Sequence, residues 1–394
     1  MTLHLTLPDA QGQLRAYHLQ GQAPVKPQAG VAFNRIAYSA AHVVANPLAA
    51  LDPWLDCAVD WDATIAYRQH LWSLGLGVAE AMDTAQRGMG LDWPTSLELI
   101  QRSLEAAQDT PGAFLASGCG TDHLDLEKVK TVDEVIAGYE FQMAAIEKLG
   151  GKLIIMASRA LARVARSPAD YERVYDRILS QAKQPVLLHW LGDMFDPALK
   201  GYWGSQDTEQ AMQTALGIIQ THASKVDGIK ISLLDKDKEI AMRRRLPANV
   251  RMYTGDDFNY AELIAGDGHG PATVHGQSDA LLGIFDAIAP AASAALAELA
   301  QGNVQKFHDI LGPTVPLSRH IFKAPTRFYK TGVVFMAWLN GHQKHFTMVG
   351  GQQSTRSLIH FCELFRLADA ANLLEHPDLA VHRMKTLLAI HGLE

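Results

Sequence analysis

Eight short apolar runs, each followed by a longer amphipathic stretch, occupy the chain between about residue 31 and about residue 300. Apolar runs of this length predict buried parallel strands, and the stretches between them predict helices that cover the sheet. Eight is the number of strands that closes such a sheet into a barrel. We therefore expect an α/β chain in which residues 31–300 form a (β/α)8 TIM barrel, with its active site at the carboxyl ends of the strands.

The predicted strands and helices alternate along the whole of this region. Strands are expected at Arg35–Val44, Gly77–Met82, Ala113–Ser117, Lys152–Ala157, Pro185–Trp190, Asp227–Leu233, Arg251–Thr254 and His269–His275. Helices are expected at residues 62–74, 95–108, 131–149, 168–183, 206–222, 235–245, 259–266 and 278–300, with Thr95, Thr131 and Ser167 as capping residues. Glycines flank and interrupt the eighth of these strands.

Two segments lie outside the predicted barrel. Residues 1–30 contain alternating apolar positions and turn residues, which predict a short amino-terminal hairpin that caps the barrel bottom. Beyond residue 301 the strand pattern disappears and apolar residues recur at helical spacing, as in Leu358, Phe361 and Phe365. We therefore expect residues 301–394 to form a carboxy-terminal helical extension.

Composition excludes several classes of protein. The chain has 394 residues and a formal net charge of −7, which argues against a nucleic-acid partner. Its 3 cysteines are too few for a disulfide framework. No apolar run approaches the ~18 residues of a membrane span, and the amino terminus lacks the pattern of a signal peptide. We expect a cytoplasmic protein that contacts neither membrane nor nucleic acid.

The clearest chemical feature is a single lysine in the otherwise aliphatic carboxyl half of the strand around Val226–Leu233. Because side chains alternate along a strand, Lys230 points into the barrel if Ile229 and Ile231 pack outward. Burial disfavours the ammonium form, and a neutral amine is the nucleophile that forms a Schiff base with a carbonyl carbon. The alternative is a structural lysine that reaches solvent or pairs with a neighbouring aspartate.

Four segments carry a family resemblance. Gly228-Ile229-Lys230 on the sixth strand is followed one βα unit later by Gly255-Asp256-Asp257, and the helix at Ser96–Leu104 and the fifth strand at Gln184–His189 occur in matching order. In order and spacing, these segments resemble the dihydrodipicolinate synthase and N-acetylneuraminate lyase superfamily of class I aldolases, as a divergent branch. The resemblance implies a (β/α)8 barrel, usually tetrameric, in which the lysine matching Lys230 forms an imine with a 2-oxo acid, commonly pyruvate.

Two motifs depart from that family. The position that matches its proton-relaying tyrosine, at the end of the fifth strand, is His189. A histidine shuttles protons near neutral pH, whereas the alternative is a core histidine bonded to a neighbouring carbonyl. The turn that binds the oxo-acid carboxylate in the family reads Met82-Asp-Thr-Ala-Gln-Arg-Gly88 here. In this turn Thr84 offers a hydroxyl and Arg87 a bidentate donor.

The expected site follows from the strand pattern and the resemblance together. We expect Lys230 and His189 to be catalytic, and we expect the substrate to be bound by Asp83, Thr84, Arg87, Gly255, Asp256 and His275. No metal and no cofactor is expected. The partners are a small-molecule carbonyl substrate and further copies of the chain, as a homodimer or homotetramer.

The first hypothesis for function is a Schiff-base lyase, aldolase or hydro-lyase that acts on a 2-oxo acid or a keto-sugar derivative through Lys230. The second is a metal-dependent sugar isomerase or epimerase on the same fold, in which His189, His269 and His275 converge with Asp83 or Asp256. The third is a catalytically silent barrel that serves as a binding module.

Overall fold

The computed structural model describes residues 3–20, 24–27, 30–267 and 276–393. Its strands are β1 (His4–Pro8), β2 (Leu14–His18), β3 (Ala37–Ala40), β4 (Gly77–Glu80), β5 (Leu115–Cys119), β6 (Leu153–Ile155), β7 (Val186–Leu191), β8 (Val226–Ser232), β9 (Arg251–Thr254) and β10 (Asp279–Leu282). Strands β3 to β10 close into a parallel barrel in chain order, with β10 next to β3. The predicted (β/α)8 barrel is therefore confirmed.

The helices surround the barrel and continue beyond it. Those that follow barrel strands are α1 (Trp61–Ser73), α2 (Trp93–Gln108), α3 (Val132–Lys148), α4 (Arg159–Val164), α5 (Pro168–Gln181), α6 (Thr208–Thr221), α7 (Lys236–Arg243), α8 (Tyr260–Ala265), α9 (Ile284–Ala287) and α10 (Ala289–Ala300). The carboxy-terminal helices are α11 (Val304–Leu311), α12 (Val315–Ile321), α13 (Tyr329–Leu339), α14 (Leu358–Ala370) and α15 (Pro377–Ile390). No helix in the described part of the chain has both the length and the apolar character needed to cross a bilayer.

The barrel interior is filled by its own small hydrophobic cluster, separate from the larger one between strands and helices. Tyr38, Ile154, Leu187, Tyr253 and Leu281 belong to this inner cluster. Because side chains alternate along each strand, these positions fix which residues further along face the mouth of the barrel.

The strand that completes the barrel differs from the predicted one. The segment His269–His275 lies outside the described residues, and β10 pairs in parallel with both β3 and β9. The prediction of a single helix over 278–300 was wrong for its first residues. Tertiary partners decide this, since the Asp279 carboxylate accepts a hydrogen bond from Ile36 N at 2.8 Å and pairs with Arg251 at 2.9 Å.

Helix caps were predicted correctly in two of the three cases. Thr131 and Ser167 each form a capping box. At α2, however, the cap is Asp92, whose carboxylate accepts a hydrogen bond from Thr95 N at 2.9 Å. Pro94 accounts for the earlier start, because proline is favoured in the first turn of a helix.

The amino-terminal hairpin packs against the carboxy-terminal helices. Strands β1 and β2 are antiparallel, as predicted. Tyr17 Oη donates to the Asp369 carboxylate at 2.7 Å, and Arg366 donates to the Pro8 carbonyl at 2.9 Å. Strand β1 contacts α14 and α15. The hairpin thus covers the helical extension, where the sequence predicted a cap on the barrel bottom.

A buried ion pair fastens α1 to the outer face of β4. Arg68 and Glu80 are both fully buried, and the guanidinium meets the carboxylate through two hydrogen bonds of 2.9 Å. Ser103 on α2 donates to the same carboxylate at 2.6 Å. This network joins one strand to the two helices that flank it.

Candidate active site

Lys230 points into the mouth of the barrel from β8. Ile229 and Ile231 belong to the outer hydrophobic cluster, so the strand parity predicted from the sequence is the observed one. Lys230 is 8% exposed, and burial lowers the pKa of its ammonium group while the Asp257 and Asp83 carboxylates oppose that shift. Within the described ranges, no hydrogen bond or ion pair reaches its Nζ.

Gly255 makes room for this lysine. A Cβ on Gly255 would lie 2.6 Å from Cε of Lys230, which is closer than real Cβ contacts come. Gly255 was predicted to bind substrate, and the structure places it beneath the side chain of Lys230.

His189 lies directly opposite Lys230 on the paired strand β7. Its Nε2 is 3.4 Å from Ser232 Oγ, and its buried Nδ1 has no hydrogen-bond partner among the described residues. Burial, and then the charge of Lys230, lower the pKa of His189 well below its usual range. The imidazole is therefore neutral at neutral pH, with one ring nitrogen as a hydrogen-bond donor and the other as an acceptor.

Asp257 is a buried carboxyl group of the site whose pKa falls near neutrality. It is 3% exposed, and its carboxylate accepts a hydrogen bond from Ile284 N at 2.9 Å. Burial raises the pKa of Asp257 to about 7, although the Lys230 charge opposes the shift. A group that titrates near pH 7 beside a buried amine suits acid–base catalysis. Asp257 was not among the site residues expected from the sequence, although it directly follows Gly255 and Asp256, which were.

The neighbouring Asp256 is held within its own loop. Its carboxylate accepts hydrogen bonds from Phe258 N at 2.9 Å, Asn259 N at 3.1 Å and Asn259 Nδ2 at 2.8 Å. Burial raises the pKa of Asp256 as well. Asp256 was predicted to bind substrate, but its acceptors are directed to the start of α8. His275, also predicted, lies outside the described residues.

The turn after β4 brings Asp83 to the mouth of the barrel and joins the extension to it. Asp83 is half-buried and lines a cavity of about 180 Å³ together with His189 and Arg87. Thr84 is buried, and its Oγ1 is 2.8 Å from the hydroxyl of Tyr329 at the start of α13. Tyr329 stacks on Phe322 with ring centroids 4.4 Å apart. The carboxy-terminal extension therefore forms part of the wall around the site.

Lys330, the next residue of α13, adds a second buried amine near Asp83. Its Nζ donates to the Arg327 carbonyl at 3.1 Å, and burial lowers its pKa to about 8. The Asp83 carboxylate acts electrostatically on both Lys330 and Lys230. Tyr329 and Lys330 were missed in the sequence analysis because no local pattern indicates which helix of an extension covers a barrel.

Arg87 has its guanidinium committed to the protein itself. It donates to the Asp122 carboxylate at 2.7 Å and 3.1 Å, and also to the Gln142 amide oxygen and the Gly118 carbonyl. The bidentate contact predicted for a substrate carboxylate is therefore made to Asp122. The remaining polar wall of the cavity includes Arg159, which pairs with Asp196.

No cluster of metal-binding type occurs across the described ranges. There, no group of three or more His, Cys, Asp and Glu side chains has an arrangement that could hold a metal ion. His269 and His275, which the metal-dependent alternative requires, lie outside those ranges.

The barrel is similar to solved dihydrodipicolinate synthases. The enzyme from Aquifex aeolicus superposes with a TM-score of 0.62 at 11% identity, covering 86% of this chain and 99% of that one. The enzyme from Cyanidioschyzon merolae with lysine bound gives 0.62 at 16% identity, covering 86% and 98%. YagE from E. coli K12, a prophage protein of the dihydrodipicolinic acid synthase family in complex with pyruvate, gives 0.61 at 13% identity, covering 92% and 100%.

These similarities establish the fold, and the sequence itself establishes the family. No curated protein matches the chain. The model of the family described as "Protein of unknown function (DUF993)" matches residues 5–393. Because that match spans nearly the whole sequence, the chain belongs to the DUF993 family, on the barrel fold of the dihydrodipicolinate synthases.

Proposed function

We propose that this protein is a Schiff-base-forming lyase, aldolase or hydro-lyase that captures a carbonyl substrate, a 2-oxo acid or a keto-sugar derivative, on Lys230. The observation that carries the proposal is an amine in the barrel mouth, 8% exposed, whose Nζ has no hydrogen bond or ion pair within the described residues. Burial lowers the pKa of Lys230, which increases the fraction of neutral, nucleophilic amine.

The neighbouring groups suit the proton transfers of imine formation. The Lys230 nitrogen attacks the carbonyl carbon, the carbonyl oxygen takes up a proton, and the resulting carbinolamine loses water to leave a C=N bond. Asp257, with its pKa raised to about 7, can give and take these protons at neutral pH. His189, kept neutral by burial and by the lysine charge, can relay a proton between its two ring nitrogens without becoming an imidazolium. The imine then stabilises the carbanion left by loss of an α-proton or by carbon–carbon cleavage.

Reductive trapping tests this proposal directly. The protein is incubated with a panel of 2-oxo acids and keto-sugars, reduced with borohydride, and analysed by intact mass and tryptic mapping. Because trypsin does not cut after an alkylated lysine, the adduct is expected on a peptide spanning residues 226–236.

Variants of two lysines complete the test. Lys230→Arg should abolish trapping and turnover, since a guanidinium stays charged and cannot attack a carbonyl. Lys225→Arg, in the turn just before β8, where the lysine donates to the Ala182 carbonyl, is the matched control and should label normally. Full activity of Lys230→Ala on an established substrate would overturn the Schiff-base proposal.

A further inference from the structure

The carboxylate of Asp83 is an unpaired acceptor in the cavity wall. Across the described residues, no hydrogen bond or ion pair reaches it, although it acts electrostatically on Lys230 and Lys330. Asp83 is half-buried and lines the same cavity as His189. A partly desolvated carboxylate in such a wall is stabilised by a ligand group that donates a hydrogen bond.

The donors expected for a substrate carboxylate are engaged elsewhere. The Thr84 hydroxyl bonds to Tyr329 at 2.8 Å. The Arg87 guanidinium donates hydrogen bonds to Asp122, Gln142 and a backbone carbonyl. The turn after β4 therefore presents a carboxylate to the site instead of a set of side-chain donors.

This charge pattern discriminates between two kinds of carbonyl compound. A 2-oxo acid carries its carboxylate on the carbon that becomes the imine, which would place a second negative charge near the Asp83 carboxylate. Like charges held close together in a desolvated site repel strongly. A hydroxyl group on the carbon next to the carbonyl has no charge and can donate to Asp83.

We propose that the carbonyl compound captured by Lys230 is an α-hydroxy ketone whose hydroxyl donates a hydrogen bond to the Asp83 carboxylate. This inference rests on the proposed Schiff-base function and narrows its substrate class to the keto-sugar type. Asp83 is thereby assigned as the residue that determines specificity.

Three small carbonyl compounds that differ only in the group beside the carbonyl make the test. Hydroxyacetone carries a CH2OH group where pyruvate carries a carboxylate, and 2-butanone, with a CH2CH3 group there, is the uncharged control without a hydroxyl. Each is trapped on the full-length protein with cyanoborohydride, and the rate of labelling of the 226–236 peptide is divided by the rate measured for free lysine. Hydroxyacetone should label at least about tenfold faster than 2-butanone, the usual effect of a hydrogen bond to a charged group, and pyruvate should label slowest.

A variant series assigns the preference to one side chain. Asp83→Asn should lower the ratio of hydroxyacetone to pyruvate labelling by about tenfold or more, because the repulsion is removed and the charged acceptor is lost. Asp193→Asn removes the same charge from the exposed loop after β7 and should leave the ratio unchanged. The labelling rates of the three compounds on the unmodified protein already test the preference for an α-hydroxy ketone. Misfolding of Asp83→Asn would therefore not prevent that test.

Three outcomes would overturn the inference, and they separate it from the proposed function. Faster labelling of Lys230 by pyruvate than by hydroxyacetone would remove the α-hydroxy ketone while leaving the Schiff-base function in place. An unchanged ratio of hydroxyacetone to pyruvate labelling in a folded Asp83→Asn protein would show that Asp83 does not determine specificity, and it would also leave the Schiff-base function in place. No labelling of Lys230 by any ketone would remove the proposed function, and this inference with it.

Discussion

His189 and Lys230 occupy opposed positions on the paired strands β7 and β8, and the lysine charge helps to lower the pKa of the histidine. Placing a positive charge on both groups in this buried site would therefore cost free energy. With His189 neutral, Asp257 is a neighbouring group whose pKa is raised to about 7. Under the proposed Schiff-base function, the site divides its chemistry between an amine nucleophile, a neutral imidazole and a titrating carboxyl group.

His189→Phe should slow reductive trapping by about 10²-fold, the usual range for loss of a group that transfers protons, while the adduct still forms on Lys230. The ring of phenylalanine fills similar space, so the effect should come from proton transfer. Labelling rates of the 226–236 peptide measure it, with His222→Phe at the end of α6 as the matched control. Unchanged rates would remove His189 from the proton-transfer steps.

Asp257 should make the folded protein less stable as the pH rises. Its pKa is raised to about 7 in the folded state from 3.8, so between these values the folded protein holds a proton that the unfolded chain lacks. This contribution is fully present below the unfolded pKa and is lost as the pH rises through the folded pKa.

Urea denaturation at pH 5 and pH 8 measures the effect. The free energy of unfolding should fall between these values by about 1 kcal/mol or more in the unmodified protein, relative to the Asp257→Asn variant, which cannot titrate. Parallel pH dependences of the two proteins would contradict the raised pKa.

Thr84 and Tyr329 should behave as a coupled pair. Thr84→Val or Tyr329→Phe alone leaves a buried hydroxyl without its partner, which costs about 1–3 kcal/mol. The double variant should lose less than the sum of the single losses, by roughly 1 kcal/mol, because neither hydroxyl is then stranded. Chemical denaturation of the four proteins provides the cycle. Additive losses would show that this contact does not hold the extension on the barrel.

Arg68→Met should destabilise the protein by about 3–5 kcal/mol, because it leaves the fully buried Glu80 carboxylate without its counterion. The matched control is Arg102→Met, which breaks the pair with Glu98, whose side chains are 44% and 47% exposed. That exposed pair should contribute less than about 1 kcal/mol. Equal losses of unfolding free energy in Arg68→Met and Arg102→Met, measured by thermal or urea unfolding, would show that burial does not strengthen the Arg68–Glu80 pair.

We expect a homodimer or homotetramer in solution. The loop between β3 and α1 exposes Leu48, Trp54 and Leu55 at 91%, 76% and 77%. Several large apolar side chains exposed on one loop favour an interface. Light scattering should report two or four times the chain mass of 43.1 kDa, and Leu55→Glu should reduce it. A mass of one chain at micromolar concentration would contradict association.

The sequence by itself determined the barrel and the inward direction of its two central side chains. Alternating apolar runs have only a few ways to bury themselves, and eight of them close a sheet. Along β8, the strict alternation of side chains places Lys230 inside once its isoleucine neighbours face outward. The Gly255-Asp256-Asp257 motif contains the further site residue Asp257, but it lies beyond the end of β9 at Thr254, where the alternation rule no longer applies.

Tertiary structure alone decided the eighth strand and the far wall of the site. Strand β10 is held in the barrel by contacts of Asp279 with Ile36 N and Arg251. Both partners lie more than twenty residues away along the chain. Thr84 and Tyr329 meet across 245 positions of sequence. Local sequence patterns predict periodicity and helix caps, but they do not predict which distant surfaces pack together. For that reason, the lack of a hydrogen bond or ion pair on the Asp83 carboxylate among the described residues emerged only from the folded chain.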